Sequence, residues 1–387
     1  MFDIEKYVEK HGSIVRPSTM WYWIDRLCKD DIAFQIQEFK KRGIEEIYIH
    51  PGWGLECDDY LSDSFMSFIR FAMETAKENG MCCSIYDEYC WASGNMANKL
   101  PEKYPFSRLM MLRYEKRYVL AGAPLSLWIH GEFLSAQAEF TDKLGACKDI
   151  TNEITVEYFG ECAKLSYVNN TCYGANVYVF FRSPSEGMGA SAIWSTFSNF
   201  FPGAIDAMNP KAISLFLEKN NNRYAEVVGD EFGKTVKRVF TDETGIASLF
   251  DLWTYEKHVL PYSIILEDEF EKEYGYSIRN EFYALVSPND NDWNVKVRYD
   301  YYRLCTRLFT DAFVKQYADW CHKNNLLLTG HLSGEGVVFY HTTQMGDFYT
   351  PLSEFDIPGI DCIFAKQGLE NAPSETRYAA LGTSDTF

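Results

Sequence analysis

The stretch that decides the fold is Val236-Lys237-Arg238-Val239-Phe240-Thr241-Asp242-Glu243-Thr244-Gly245. Its β-branched and aromatic residues predict a short buried strand that ends abruptly in two carboxylates. A strand of a parallel barrel is buried on both faces, and its C-terminal end opens onto the face where reactive groups are exposed. Neighbouring carboxylates in a cleft hold different pKa values, as acid–base chemistry requires. A solvated loop after a strand is the competing interpretation of Asp242 and Glu243.

The same pattern of a charged helix end, a turn residue, a strand and a polar tip recurs along the chain. It follows Gly43 and Gly80, and it returns at 322–331 with asparagine in place of glycine. Alternating helices and buried strands predict parallel βα units, and polar groups at several strand tips favour a barrel over an open sheet. An open sheet would need a glycine-rich phosphate loop after the first strand, and the sequence has none. We therefore predict an α/β fold of the (β/α)8 TIM-barrel type.

Three alternating segments interrupt this pattern and predict a β-rich subdomain inserted after the third strand. The predicted division is 1–100 for the first part of the barrel, 101–207 for the insertion and 208–387 for the second part of the barrel. The last two barrel strands are predicted at 356–364 and 377–387. The count reaches seven strands, so either the barrel is incomplete at the C-terminus or an unrecognised element closes it.

Composition restricts the classes of function. The net charge of −18 argues against nucleic acid and against anionic membrane surfaces, because both repel an acidic protein. The chain lacks an N-terminal secretory signal and an apolar stretch of bilayer length. Its 11 cysteines show no paired spacing, which predicts a reduced, cytoplasmic protein. Its 28 Phe, 26 Tyr and 9 Trp residues fit either a large aromatic core or stacking against sugar rings.

Carboxylates at different strand tips fit glycoside hydrolysis. One carboxyl group protonates the leaving oxygen, while the other activates water or attacks the sugar. Glu243 is the predicted general acid, because the negative charge of Asp242 favours its protonated form. Glu335, in a loop of small residues that leaves room for a ligand, is the leading base, and Asp385 is its rival.

Four segments resemble the catalytic barrel of glycoside hydrolase family 106, the α-L-rhamnosidases. The matching segments are Met20-Trp21-Tyr22-Trp23, Ile85 to Gly94, Phe240-Thr241-Asp242-Glu243 and Gly330 to Gly336. The resemblance implies a (β/α)8 fold, inverting hydrolysis of terminal α-L-rhamnosides and a calcium ion near the site.

By position, the resemblance assigns the catalytic carboxylates to Glu243 and Glu335. Members of the family also have a carboxylate late in the barrel, where this sequence has Ser384-Asp385 with a shorter side chain. The choice of base between Glu335 and Asp385 therefore stays open.

The remaining polar and aromatic residues at strand tips are candidates for substrate binding. Trp53 and Trp91 are predicted sugar platforms, and the predicted hydroxyl-binding or orienting residues are His50, Asp87, Glu88, Asp242 and His331. Two other functions remain open: a catalytically incomplete carbohydrate-binding barrel, and a metal-dependent hydrolase that uses His50, Asp87, Asp242 and His331. The metal alternative is weaker because the His-x-His pair of many metal barrels is missing. No metal-ligand residue and no cofactor are predicted, apart from the structural calcium ion that the resemblance implies.

Overall fold

The structure is a computed structural model, and it describes residues 17–141, 147–188, 203–248, 258–335 and 338–361. Its strands, in chain order, are β1 Ser18–Trp23, β2 Glu46–Pro51, β3 Cys82–Tyr86, β4 Met110–Val119, β5 Pro124–His130, β6 Glu132–Phe140, β7 Cys147–Asp149, β8 Thr155–Phe159, β9 Cys162–Val168, β10 Ala175–Pro184, β11 Arg238–Thr244, β12 Val259–Tyr262, β13 Leu327–Leu332 and β14 Ile357–Pro358.

The α-helices are α1 Lys29–Lys41, α2 Asp63–Glu78, α3 Lys99–Lys103, α4 Pro210–Phe216, α5 Asn222–Val228, α6 Leu266–Tyr274, α7 Phe282–Val286, α8 Asp292–Phe309, α9 Gln316–Lys323, α10 Val338–Met345 and α11 Tyr349–Leu352. A π-helical segment, Leu217–Asn221, joins α4 to α5, and a second, Thr310–Lys315, joins α8 to α9. Each of these two helix pairs therefore forms one continuous helical segment.

Local sequence explains where the helices begin and end. The hydroxyl of Ser62 accepts a hydrogen bond from the backbone N–H of Phe65 at 3.2 Å, which caps α2. One face of α2 is buried at helical spacing, with Ile69 and Ala76 among its residues. Gly80 follows the helix with φ of +64°, a left-handed conformation that glycine adopts without a Cβ penalty. The chain can thus turn directly from α2 into β3.

Six strands form one parallel sheet in the order β1-β2-β3-β11-β13-β14. They correspond to six of the seven predicted barrel strands, and the seventh prediction, 377–387, lies outside the described residues. Within the described ranges β1 and β14 are the edges of the sheet, so a closed eight-stranded barrel is not seen there. The structure establishes a mixed α/β fold around a parallel sheet, and barrel closure stays a prediction.

A buried ion pair ties the N-terminal ends of three of these strands together. Arg238 of β11 pairs with Glu46 of β2, and Glu46 also accepts a hydrogen bond from Ser84 of β3 at 2.6 Å. All three residues are buried. A buried charge without its partner is costly, so this contact favours one register of the three strands.

The segment between β4 and β10 forms two antiparallel sheets. The larger has the order β12-β4-β10-β6-β7, and the smaller has the order β5-β9-β8. An apolar core between them includes Val179 of β10 and Leu165 of β9. The opposite face of β10 packs on α7, where the rings of Phe180 and Phe282 lie 5.6 Å apart.

These sheets occupy the region in which the sequence predicts a β-rich insertion. The sequence did not predict β12, which comes from beyond residue 207 and completes the larger sheet. The division into 1–100, 101–207 and 208–387 stays a prediction.

A β-bulge in β11 holds the two carboxylates of the deciding stretch. Thr241 is paired with Gly330 and Thr244 with Leu332, so three steps along β11 oppose two along β13. Glu243 has φ of +47°, which is unusual for a residue with a side chain. Bulges redirect side chains at sheet ends, and this one aims Asp242 and Glu243 differently from a regular strand.

Gly330 allows β13 to approach the bulge. A Cβ at this position would lie 2.0 Å from the carbonyl oxygen of Thr241, and the φ of Gly330 is +134°. No side chain fits in this space without movement of the backbone.

The substitution Gly330→Ala should therefore destabilise the protein much more than Gly80→Ala. Both place alanine at a positive φ, which costs about 1–2 kcal/mol, but a Cβ at Gly80 meets nothing within 4 Å. The clash at Gly330 should add about 1–3 kcal/mol. Urea unfolding of the two variants measures the difference, and equal free energies of unfolding would contradict the proposed role of Gly330.

Candidate active site

Five strands of the parallel sheet place polar or aromatic side chains at their C-terminal ends. Tyr22 of β1 lies beside His50 of β2 in the strand register, and their ring centroids are 4.6 Å apart. His50 stacks on Tyr86 of β3 at 3.8 Å. Asp242 of β11 and His331 of β13 continue the row. The structure thus brings together groups that are more than 300 residues apart in sequence.

A line of polar contacts runs through this row. The hydroxyl of Tyr86 donates a hydrogen bond to Oδ2 of Asp242 at 2.6 Å, and Nε2 of His331 lies 3.1 Å from Oδ1 of Asp242. The other ring nitrogen of His331, Nδ1, lies 3.2 Å from Oε1 of Glu335, although the angle there does not make a hydrogen bond. The backbone N–H of Asp361 donates to the same Oε1 at 2.5 Å. His331 therefore lies between two carboxylates.

These contacts favour a charged imidazolium. Burial alone would lower the pKa of His331, but its contacts with Asp242 and Glu335 outweigh burial and raise that pKa well above its ordinary value. Burial likewise acts to raise the pKa of Asp242, yet His331 and the hydrogen bond from Tyr86 hold it below its ordinary value. Both shifts favour the ion pair, an anionic Asp242 beside a cationic His331.

Glu243 has the opposite electrostatic environment. Burial, followed by the negative charge of Asp242, raises the pKa of Glu243 to about 7. The charges of Asp361 and Glu335 add to this rise, and His331 opposes it. The site therefore combines a carboxyl group that titrates near neutrality with Asp242, whose pKa is lowered, and the charge of Asp242 acts on Glu243 in the predicted direction, after burial.

His50 is a neutral histidine in the same site. Its Nε2 lies 3.1 Å from the carbonyl oxygen of Cys90, and its buried Nδ1 has no hydrogen-bond partner in the described structure. Burial lowers the pKa of His50 to about 4, against the opposing charge of Asp242. The lone pair of Nδ1 is thus available to accept a hydrogen bond.

Asp87 is fully buried beneath the site. Its carboxyl group accepts hydrogen bonds from Ser93 Oγ at 2.5 Å and from the hydroxyl of Tyr317 at 2.7 Å. Burial raises the pKa of Asp87 to about 8. Ser93 also accepts a hydrogen bond from the backbone N–H of Asp242 at 2.7 Å, so Asp87 supports the bulge indirectly. This geometry favours a supporting role over the predicted contact with a sugar hydroxyl.

Glu88 holds the loop that follows β3. Its two carboxylate oxygens accept hydrogen bonds from four backbone N–H groups, those of Tyr89, Asn95, Met96 and Ala97. Burial raises the pKa of Glu88 to about 7, while these donors oppose the rise. With its oxygens engaged by the loop, Glu88 is better suited to fixing loop shape than to the predicted binding of a sugar.

The two predicted sugar platforms lie together. The ring centroids of Trp53 and Trp91 are 5.4 Å apart, with an angle of 48° between the ring planes. Trp53 is 45% exposed, so part of its ring face is accessible. Their role in binding sugar stays a prediction, and Asp385 lies outside the described residues.

Sequence reasoning missed several residues of the site. Tyr86 directly precedes the predicted residue Asp87, and Tyr22 lies within the aromatic segment Met20-Trp21-Tyr22-Trp23. Inspection of every side chain at the strand ends would therefore have identified both tyrosines. Tyr317 lies on α9, where helical spacing indicates only a buried face. Asp361 contacts Glu335 through its backbone, a contact that leaves no sequence signal.

The described residues contain no group of three or more His, Cys, Asp or Glu side chains that could hold a metal ion. His50, Asp87, Asp242 and His331 thus do not form such a group, and the calcium ion that the resemblance implies stays a prediction. In the same part of the chain, no helix is long and apolar enough to cross a membrane.

Comparison with solved structures finds a similar fold in a rhamnosidase. A rhamnosidase from Novosphingobium sp. PP1Y matches 92% of this chain with a TM-score of 0.57 and 12% sequence identity. A β-galactosidase from the psychrophilic Marinomonas ef1 matches with a TM-score of 0.44 and 11% identity, and covers 92% of this chain and 42% of its own. The chain spans about half of the rhamnosidase, 49% of its length. No family model matches the chain, and no curated protein does.

The substitution Asp87→Asn should reduce the pH dependence of stability. The folded-state pKa of about 8 is above the unfolded value near 4, so the folded state holds an extra proton between these values. Stability is therefore lost as pH rises through this window, by up to about 1.4 kcal/mol per pH unit for one proton. The free energy of unfolding, measured from pH 5 to 7, should show a shallower slope in the variant. An unchanged slope, equal to that of Asp63→Asn at a fully exposed side chain, would contradict this assignment.

Proposed function

We propose that this protein is a glycoside hydrolase that cleaves a terminal glycosidic bond. The observation that carries the proposal is Glu243, whose pKa is raised to about 7, together with a second carboxyl group, Glu335, whose charge contributes to that rise. An acid that titrates near neutrality and a second carboxyl group are the two groups that glycoside hydrolysis requires. The fold shared with the Novosphingobium rhamnosidase supports the same class of reaction.

In the proposed mechanism Glu243 donates its proton to the leaving oxygen, and Glu335 activates the attacking water. His331 and the backbone N–H of Asp361 both contact Oε1 of Glu335, so they fix its orientation and leave the base function to Oε2. The positive charge on His331 keeps Asp242 ionised. Inversion requires the two catalytic carboxyl groups to be about 6.5–9.5 Å apart, and retention requires about 5–5.5 Å.

The proposed substrate is an α-L-rhamnoside or a related sugar. The sequence resemblance to the rhamnosidase family and the rhamnosidase among the structural neighbours support this choice. The partly exposed Trp53, with Trp91 beside it, supplies an apolar face for a sugar ring. A screen of aryl glycosides tests the sugar, and binding without hydrolysis would identify a carbohydrate-binding protein instead.

The substitution Glu243→Gln should remove general acid catalysis. Substrates with poor leaving groups should lose about 100- to 10,000-fold in kcat, because protonation of the leaving oxygen limits their hydrolysis. A dinitrophenyl glycoside, whose leaving group needs no proton, should lose much less. The decrease of kcat/KM above about pH 7 should also disappear in the variant.

The matched control for this experiment is Glu74→Gln, at a half-exposed position on α2. It should leave both substrates and the pH profile unchanged. Equal losses on the two substrates in Glu243→Gln would remove Glu243 from the role of general acid.

The base is tested by comparing Glu335→Gln with Asp385→Asn. Loss of the base slows attack by water. The variant that lacks the base should therefore lose about 100- to 10,000-fold in kcat with good and poor leaving groups alike. We expect this result for Glu335→Gln and near-native rates for Asp385→Asn. The reverse result would assign the base to Asp385, and circular dichroism of each variant checks that it has folded.

A further inference from the structure

A cleft lies between the two antiparallel sheets. Its volume is about 430 Å³, within the range of small-molecule sites, and its lining includes Arg113, Arg117, Trp128, His130, Ser183 and His258. One wall comes from β4, which pairs with β12 only over Met110–Arg113. The other wall comes from β5, an edge strand of the smaller sheet. The cleft is therefore formed by strand edges that the described sheets leave open, and no residue of the proposed catalytic site lines it.

The β5 wall carries an exposed aromatic pair. Trp128 is 57% exposed, and its ring lies 5.3 Å from that of Phe159, which is 55% exposed. Large aromatic rings side by side on a surface are unfavourable in water, and such patches mark binding sites. The flat apolar face of an indole matches the face of a pyranose ring that carries C–H groups.

The β4 wall carries two guanidinium groups. Arg113 is only 3% exposed; its Nη2 donates to the carbonyl oxygen of Pro184 at 3.1 Å and lies 3.8 Å from the carboxylate of Glu186. Arg117 is half exposed and lies 2.7 Å from Glu115. A surface ion pair of this kind contributes little free energy, so a ligand anion can replace Glu115 as the partner of Arg117.

The lining contains groups that can recognise an anion. Arg113 and Arg117 lie in the cleft with Glu115, and Glu186 lies beside Arg113, so basic and acidic side chains are balanced there although the chain has a net charge of −18. A guanidinium group binds a carboxylate through two parallel hydrogen bonds, which selects planar anions. The cleft thus presents an aromatic face on one wall and, on the other, the accessible guanidinium group of Arg117 with the buried Arg113 behind it.

We propose that this cleft binds a sugar ring that carries a carboxylate, that is, a uronate residue. A neutral sugar would use Trp128 but not the arginines, and an inorganic anion would use the arginines but not Trp128. This site is separate from the catalytic one, and the proposal holds whether or not the protein hydrolyses glycosides. It gives the β-rich part of the chain a function in holding an acidic saccharide.

Saturation-transfer NMR with methyl β-D-glucuronide and methyl β-D-glucoside tests the proposal, since these probes differ only at the C6 carboxylate. The glucuronide should bind at least tenfold more tightly than the glucoside. Trp128→Ala and Arg117→Met, both at accessible side chains, should each weaken glucuronide binding at least tenfold. The matched controls Trp293→Ala and Arg303→Met, on α8, should stay within twofold of the native protein.

Glu243→Gln separates this site from the catalytic one. Binding of the glucuronide should be retained in this variant. Equal binding of the two probes, no binding of either, or loss in Glu243→Gln with retention in Trp128→Ala would each overturn the proposal. Inorganic sulfate should displace the glucuronide more readily from Trp128→Ala than from the native protein. Equal displacement from the two proteins would overturn the role of the aromatic wall.

Discussion

The proposed chemistry depends on one buried contact, the imidazolium of His331 between the carboxylates of Asp242 and Glu335. Several acidic groups gathered at one end of a sheet would repel each other, and burial would drive some of them to take up protons. The positive charge of His331 lies among these carboxyl groups and lowers their pKa values to different extents. It stabilises Asp242 as an anion, whereas Glu243, which receives less of this charge, keeps a raised pKa. One histidine therefore distinguishes the acid from its ionised neighbour.

Backbone geometry makes this contact available. The bulge in β11 lies opposite His331 in the sheet, and it sets Asp242 and Glu243 in different environments although they are adjacent in sequence. Gly330 permits the close approach of β13 that aligns His331 with Asp242. Beneath them, Ser93 links the bulge to the buried Asp87. The electrostatic contrast at the site is thus maintained by strand pairing and by hydrogen bonds among buried groups.

The sequence predicted those features that arise from local patterns. The end of α2 follows from Gly80, and the buried strands follow from runs such as Val239-Phe240. The prediction that His331 orients a carboxylate came from its proximity to Glu335, and the structure places the two in contact.

The sequence did not predict features that depend on contacts between residues far apart in the chain. The contact of Asp361 with Glu335 uses a backbone group, and that of Tyr317 with Asp87 joins residues 230 positions apart. The hydrogen bonds that Glu88 accepts from backbone N–H groups depend on the conformation of the loop after β3, and no residue pattern predicts this conformation. The pairing of β12 with β4 likewise joins segments that are separated by most of the β-rich region.

The most direct test of this account is the protonation state of His331, read from the ¹⁵N chemical shifts of its imidazole ring as a function of pH. The signal is assigned by its loss in His331→Asn. We predict that both ring nitrogens carry protons at pH 7 and remain protonated at pH 8, well above the ordinary histidine pKa near 6.5. A ring that is neutral at pH 7 would show that no positive charge separates Asp242 from Glu335, and it would contradict the account.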